Sequence, residues 1–103
     1  MFRGRYHHTI ADHLMMIFEM KKGFAVHGTD INRELLAKGF IHTGKALMDN
    51  LYYLMELGKI MKAGRGLYGI PNVREDGTKY LIVTLRDGSQ EEAECYFATM
   101  TKR

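Results

Sequence analysis

The stretch 43–71 constrains this chain more than any other. Leu47, Leu51, Leu54 and Leu57 recur at helical spacing, flanked by Ala46 and Met55. Lys45, Met48, Asp49, Tyr52 and Glu56 fall on the opposite face. Thr43 is a natural N-cap, because its hydroxyl can accept from an early helical N–H, and Gly58 is placed as a C-terminal glycine cap. The pattern predicts a helix over 44–57 with one buried and one exposed face. After it, residues 59–62 read as a strand and Ala63-Gly64-Arg65-Gly66 as a turn. Residues 67–70 read as the returning strand, stopped by Pro71. This hairpin is basic, since Lys59, Lys62 and Arg65 all lie on it.

Two helices precede it. The first is expected over 9–22, capped by Thr9 with Asp12 in its first turn and ended by Gly23. Its apolar positions are Ile10, Leu14, Ile17 and Phe18. Residues 24–26 read as a short extended piece and 27–30 as a turn. The second helix is expected over 31–38, with Thr29 or Asp30 as its cap, Ile31, Leu35 and Leu36 inward, and Gly39 as its stop.

Beyond Pro71, residues 72–78 read as a polar linker with an Asp76-Gly77 turn. Residues 79–85 are a β-branched strand, followed by a second turn at Asp87-Gly88. From there two readings are open. Ser89 with Glu92 three residues on forms a capping-box pattern, with Ala93, Tyr96, Phe97 and Met100 at helical spacing. That favours a helix. The alternative is a hairpin whose second strand covers 91–97.

The chain has 103 residues, which fits one domain over 1–103. Its balance of 46% apolar and 26% charged residues is that of a globular chain. The lone cysteine, Cys95, excludes an internal disulfide and a cysteine-based zinc site. His7, His8, His13, His27 and His42 do not fall in a metal-binding pattern, so surface histidines are expected and no metal. Gly64-Arg65-Gly66 lacks the Lys-Ser/Thr of a phosphate loop, and no nucleophile–base pair or carboxylate pair stands out. The expectation is a protein that is not an enzyme and takes no cofactor. Residues 1–10 hold no apolar signal core, and the longest apolar run, 14–18, is too short for a membrane. A cytoplasmic location is expected, nuclear if the source is eukaryotic. The net charge of +3 permits nucleic-acid binding without requiring it.

The order of helix, short strand, helix, tight turn, longer helix and basic hairpin resembles the winged helix-turn-helix family. The carrying segment is 35–70, LLAKGFIHTGKALMDNLYYLMELGKIMKAGRGLYGI. Its most specific part runs from the third helix through Leu57-Gly58 into the glycine-rich turn and the aromatic-bearing return strand. The resemblance covers about 9–71. It implies an α+β fold of three helices plus a β-hairpin wing, with 72–103 as a C-terminal extension (a strand, then a helix or hairpin).

Double-stranded DNA is the ligand the resemblance implies. The third helix would read the major groove through Thr43, Lys45, Met48, Asp49 and Tyr52. Lys45 would meet guanine or phosphate, and Asp49 would accept from cytosine N4 or orient Lys45. Met48 would touch a thymine methyl, and Tyr52 would bond phosphate. Arg65 would be the wing tip, with Lys59 and Lys62 adding sequence-independent attraction. Arg3 and Arg5 would form an N-terminal arm, and Thr29 and Asn32 would bond phosphate near the second helix. The implied role is a small transcriptional regulator, or a replication or recombination accessory factor.

Met15, Met16 and Met20 cannot all turn inward together with the other apolar residues of the first helix. A homodimer or partner contact is expected there. The rival to DNA binding is a protein-interaction module of the same fold, using Met48, Tyr52 and these methionines. A small RNA-binding domain is a third reading.

Overall fold

The computed structural model describes residues 9–96. Three helices and two small antiparallel sheets make up an α+β fold. The first helix, α1, spans Ile10–Met20 and opens with a capping box. Asp12 N donates to Thr9 Oγ1 at 3.2 Å, and Thr9 N donates to Asp12 Oδ2 at 3.4 Å. The strand β1 covers Val26–His27 and leads straight into α2, Gly28–Ala37. The third helix, α3, covers Gly44–Glu56 behind the Thr43 cap, close to the expected 44–57, but Leu57 is its C-cap and is exposed rather than on the buried face.

The turn expected over 27–30 is not formed, and α2 starts at Gly28 rather than Ile31. Pairing is the cause. His27 is held extended opposite Leu67, and Gly28 N donates to Gly66 O at 2.9 Å. The N-cap is therefore His27, which offers no side-chain bond, and not Thr29 or Asp30. Asp30 instead sits in the first turn, where it pairs with Arg33.

The hairpin consists of β2, Met61–Lys62, and β3, Leu67–Gly69, in the register Met61↔Gly69 and Lys62↔Tyr68. Lys59 is not part of a strand. Its N–H donates back to Leu54 O at 3.0 Å, with Gly58 at φ +78°, so it completes the end of α3. The other edge of β3 pairs with β1, which gives the order β1-β3-β2.

The second sheet corrects two expectations. Residues 72–73 are not linker but a strand, β4 (Asn72–Val73), paired with β5 (Lys79–Thr84). The segment after Ser89 is not a helix but β6, Gln90–Glu94, in continuous register with β5 from Thr84↔Gln90 to Tyr80↔Glu94. The Ser89 hydroxyl is engaged elsewhere. It donates to Asp87 Oδ1 at 2.6 Å, and Leu85 N donates to Ser89 O at 2.8 Å, which closes a hairpin. The expected helical positions Phe97 and Met100 lie outside the described residues.

Nor are residues 72–96 an appendage. Ala25 N donates to Ile82 O and Ile82 N to Gly23 O, both at 2.9 Å, so β5 binds the segment between α1 and β1. At the far side Tyr96 N donates to Lys62 O at 2.9 Å. The pairings thus run in a ring through Phe24, β5, β6, Tyr96, β2, β3 and back to β1. Inside, Leu14 and Phe18 of α1, Ile31 and Leu35 of α2, Leu51 and Met55 of α3, and Ile60 form a fully buried core. Each such side chain contributes roughly 1.5–3 kcal/mol relative to exposure. No helix among the described residues is long and apolar enough to cross a membrane.

Two predictions follow from this packing. A Cβ on Gly69 would lie 2.7 Å from Phe24 O and 3.0 Å from Leu81 Cδ2, and the first of these is backbone. Gly69→Ala is expected to cost about 1–3 kcal/mol in urea unfolding; a neutral outcome would mean β3 and β5 lie further apart. The second concerns acid. The Asp76 carboxyl is held below its ordinary value by the Thr78 backbone N–H, and Asp87 by the Ser89 hydroxyl and N–H. Each turn then contributes stability above the unfolded-state value near 3.8, lost as pH falls through the lower folded value. In a pH series of thermal melts, the Asp76→Ala, Asp87→Ala double variant is expected to fall less steeply below that pH than the unmodified chain.

Candidate nucleic-acid interface

The solvent face of α3 follows from its buried one. With Leu47, Leu51, Leu54 and Met55 inward, the helical period leaves Lys45, Asp49, Tyr53 and Glu56 in water. Thr43 caps the helix by accepting from Ala46 N at 3.0 Å and is itself exposed. Lys45 Nζ lies 2.9 Å from Asp49 Oδ2, so each charge is partly answered within the helix. The pair is exposed and worth only a few tenths of a kcal/mol.

Met48 and Tyr52 depart from the exposed placement expected of them. Both are half-buried and pack against the core. They flank the buried stripe of α3 on the side where β3 lies, and Tyr68 Oη reaches Met48 Sδ at 3.9 Å. Tyr53, 53% exposed, takes the outward place instead. Its signal was present in the sequence, since 45, 49, 53 and 56 share one face.

The hairpin presents its cations differently. Arg65 is exposed between Gly64 at φ +96° and Gly66 at φ +72°, conformations that glycine adopts at no steric cost. Lys59 is exposed at the end of α3. Lys62 is half-buried, with its ammonium 5.6 Å from the centroid of the Tyr68 ring. Burial pushes the Tyr68 hydroxyl above its ordinary value, helped by Tyr52 and Tyr96.

These parts surround one open groove of about 860 Å³. Its walls are the start of α2 (Gly28, Thr29), the first half of α3 (Gly44, Met48) and the hairpin (Gly66, Tyr68). The bond from Gly28 N to Gly66 O holds the hairpin turn to the start of α2. Thr29 is exposed at this edge. Asn32 is half-buried, and its Oδ1 lies 2.6 Å from His42 Nε2. Arg3 and Arg5 lie outside the described residues.

On α1, Met15 packs against the core, while Met16 is 48% and Met20 84% exposed. Together with Glu19 they line a shallow depression of about 350 Å³. Ile41, in the turn before α3, is 98% exposed, and nothing in its sequence surroundings announces this. Cys95 is half-buried, and burial raises its thiol above the ordinary value. Among the described residues no three His, Cys, Asp or Glu side chains gather as a metal site would require. Comparisons with models of protein families, with characterised proteins and with solved structures found no match.

The Lys45–Asp49 pair yields a direct prediction. Asp49→Ala is expected to change stability by no more than about 0.5 kcal/mol in chemical denaturation. A loss well above that would mean the carboxylate has a second partner.

Proposed function

We propose that this chain is a winged-helix domain that binds double-stranded DNA. In this reading α3 enters the major groove by its N-terminal end and the β2–β3 hairpin is the wing. The carrying observation is the convergence of three parts on one open groove: the start of α2, the start of α3 and the glycine-flanked hairpin turn. Arg65 stands exposed at the hairpin turn, Lys45 at the start of α3 with its charge shared with Asp49, and Lys59 at the end of α3, and these cations can meet phosphates. Thr29 can add a bond near the start of α2, and the N-terminal arm of Arg3 and Arg5 enters this reading by its charge alone. The role is that of a small transcriptional regulator, or of a replication or recombination accessory factor.

The distribution of charge supports contact through this side. Half of the twelve carboxylates fall within residues 75–94, namely Glu75, Asp76, Asp87, Glu91, Glu92 and Glu94. They concentrate negative charge on the β4–β6 sheet and its turns and turn that sheet away from a duplex.

A second reading rests on α1. The exposed Met16 and Met20 beside Glu19 form a largely apolar patch on a helix end, suited to a second copy of the chain or to a protein partner. We propose a homodimer through this patch, which would set two α3 helices about one turn of DNA apart. If DNA binding fails, the same patch and Tyr53 would serve a protein-interaction module.

Fluorescence anisotropy with a labelled random duplex over several salt concentrations tests the DNA reading. A log–log slope of roughly −3 to −5 is expected. The Lys59→Glu, Arg65→Glu variant is expected to weaken binding at least about tenfold and to lower the slope by one to two. Absence of binding at low salt defeats the reading, and a preference for RNA or single strands replaces it with an RNA-binding one. Met16→Asp, followed by sedimentation, tests the dimer separately, with a shift to monomer expected.

A further inference from the structure

The turn between α2 and α3 is pinned on two sides. On one, the Phe40 ring lies against His13 of α1, with centroids 5.4 Å apart and planes inclined at 45°. On the other, His42 Nε2 lies 2.6 Å from Asn32 Oδ1. A carboxamide oxygen only accepts, so Nε2 carries a proton and donates it. The other ring nitrogen, Nδ1, is buried and has no hydrogen-bond partner among the described residues. Among these residues the polar anchoring of the ring rests on Asn32.

The position of His42 in the chain gives that bond its reach. His42 directly precedes Thr43, whose Oγ1 accepts from Ala46 N at 3.0 Å and whose carbonyl accepts from Leu47 N at 3.1 Å. Those two bonds start α3. A ring fixed to α2 one residue earlier fixes where α3 begins.

We propose that the Asn32–His42 bond is a lock between α2 and α3, and that Asn32 is a positioning residue rather than a ligand for phosphate. Its oxygen is engaged by His42, which fixes the plane of the carboxamide; a phosphate could be met only through Nδ2, so the two roles are separated by experiment. The consequence for binding rests on the DNA reading above; the lock itself rests on the geometry of the turn. Losing the bond orphans the second ring nitrogen as well as the first, so the ring has no polar reason to stay inward. The turn then loosens, and the N-terminal end of α3 loses its fixed placement.

Amide hydrogen exchange and DNA binding, measured together, test this. In Asn32→Ala the Ala46 and Leu47 amides are expected to lose roughly fivefold or more in protection, while those of Leu14 and Phe18 in α1 hold theirs. Asn32→Asp keeps an acceptor at the same reach and is expected to restore protection. Unchanged protection in Asn32→Ala overturns the lock. In DNA binding, Asn32→Ala and His42→Ala are expected to weaken affinity alike, with the double variant no weaker than either, whereas weakening by Asn32→Ala alone would mark a phosphate contact. That second outcome overturns the positioning role. If the unmodified chain does not bind duplex, the DNA reading fails on its own, and exchange still decides the lock. Should Asn32→Ala fail to fold, nitrogen spectra of the His42 ring in the unmodified chain, taken in alkaline buffer, decide instead. A protonated Nε2 with a bare Nδ1 is expected; the opposite tautomer overturns the proposal.

Discussion

The three residues of β3 carry more of this fold than any helix does. One edge of β3 pairs with β1 and the other with β2, so the strand joins the chain before α2 to the chain after α3. Tyr68 is buried on it, with the Lys62 ammonium over its ring and its hydroxyl directed at Met48 of α3. Gly69 lacks the side chain that would otherwise hold off Phe24 and Leu81, and so admits β5. A one-residue slip of this register would turn Tyr68 to solvent and bring another residue into that close approach. The helical core alone would not forbid such a slip. The ring of pairings does, because β2 is held again by Tyr96 on its outer side.

That arrangement also accounts for what the sequence made legible. The three helices could be read because each has an apolar stripe with end signals, as at Thr9, Thr43 and Gly58. Local chemistry governs those positions. The start of α2 was misread because tertiary pairing governs it: His27 is extended only because Leu67, forty residues away, lies opposite. After Ser89 the hairpin prevails over the favoured helix for a related reason. The capping-box pattern competes with an Asx-type turn at Asp87, and the exposed edge of β5 decides the outcome. Glu91, Glu92 and Glu94 leave a helix there little apolar surface to bury, whereas on an edge strand they keep the sheet in solution.

The candidate interface was legible in part. Lys45, Asp49 and Arg65 are exposed as their positions imply. Met48 and Tyr52 lie on the border of the stripe, where the helical period alone does not decide. The hairpin that lies against that border draws both inward. Asn32 of α2 and His42 of the following turn are ten residues apart, and no pattern in the chain pairs them before that turn is built.

On the DNA reading, charge limits what α3 can do. The described residues hold eleven of the fifteen cations but all twelve carboxylates, so the basic excess of the chain lies in Arg3, Arg5, Lys102 and Arg103. Attraction to a duplex must then come from placement rather than from net charge. Along the exposed face, Lys45 and Glu56 are eleven residues apart, about 16 Å of helix rise. Charges in physiological salt are screened over about 8 Å. A helix that enters by its N-terminal end would therefore bring Lys45 and the Thr43 cap to the duplex while Glu56 stays beyond the reach of its field. Entry along the whole face would set Asp49 and Glu56 against phosphates together. On the DNA reading, the sequence of charges on α3 thus selects a tilted, end-on approach. That geometry leaves room for only about one turn of helix at the bases and gives phosphate contact the larger share of the affinity.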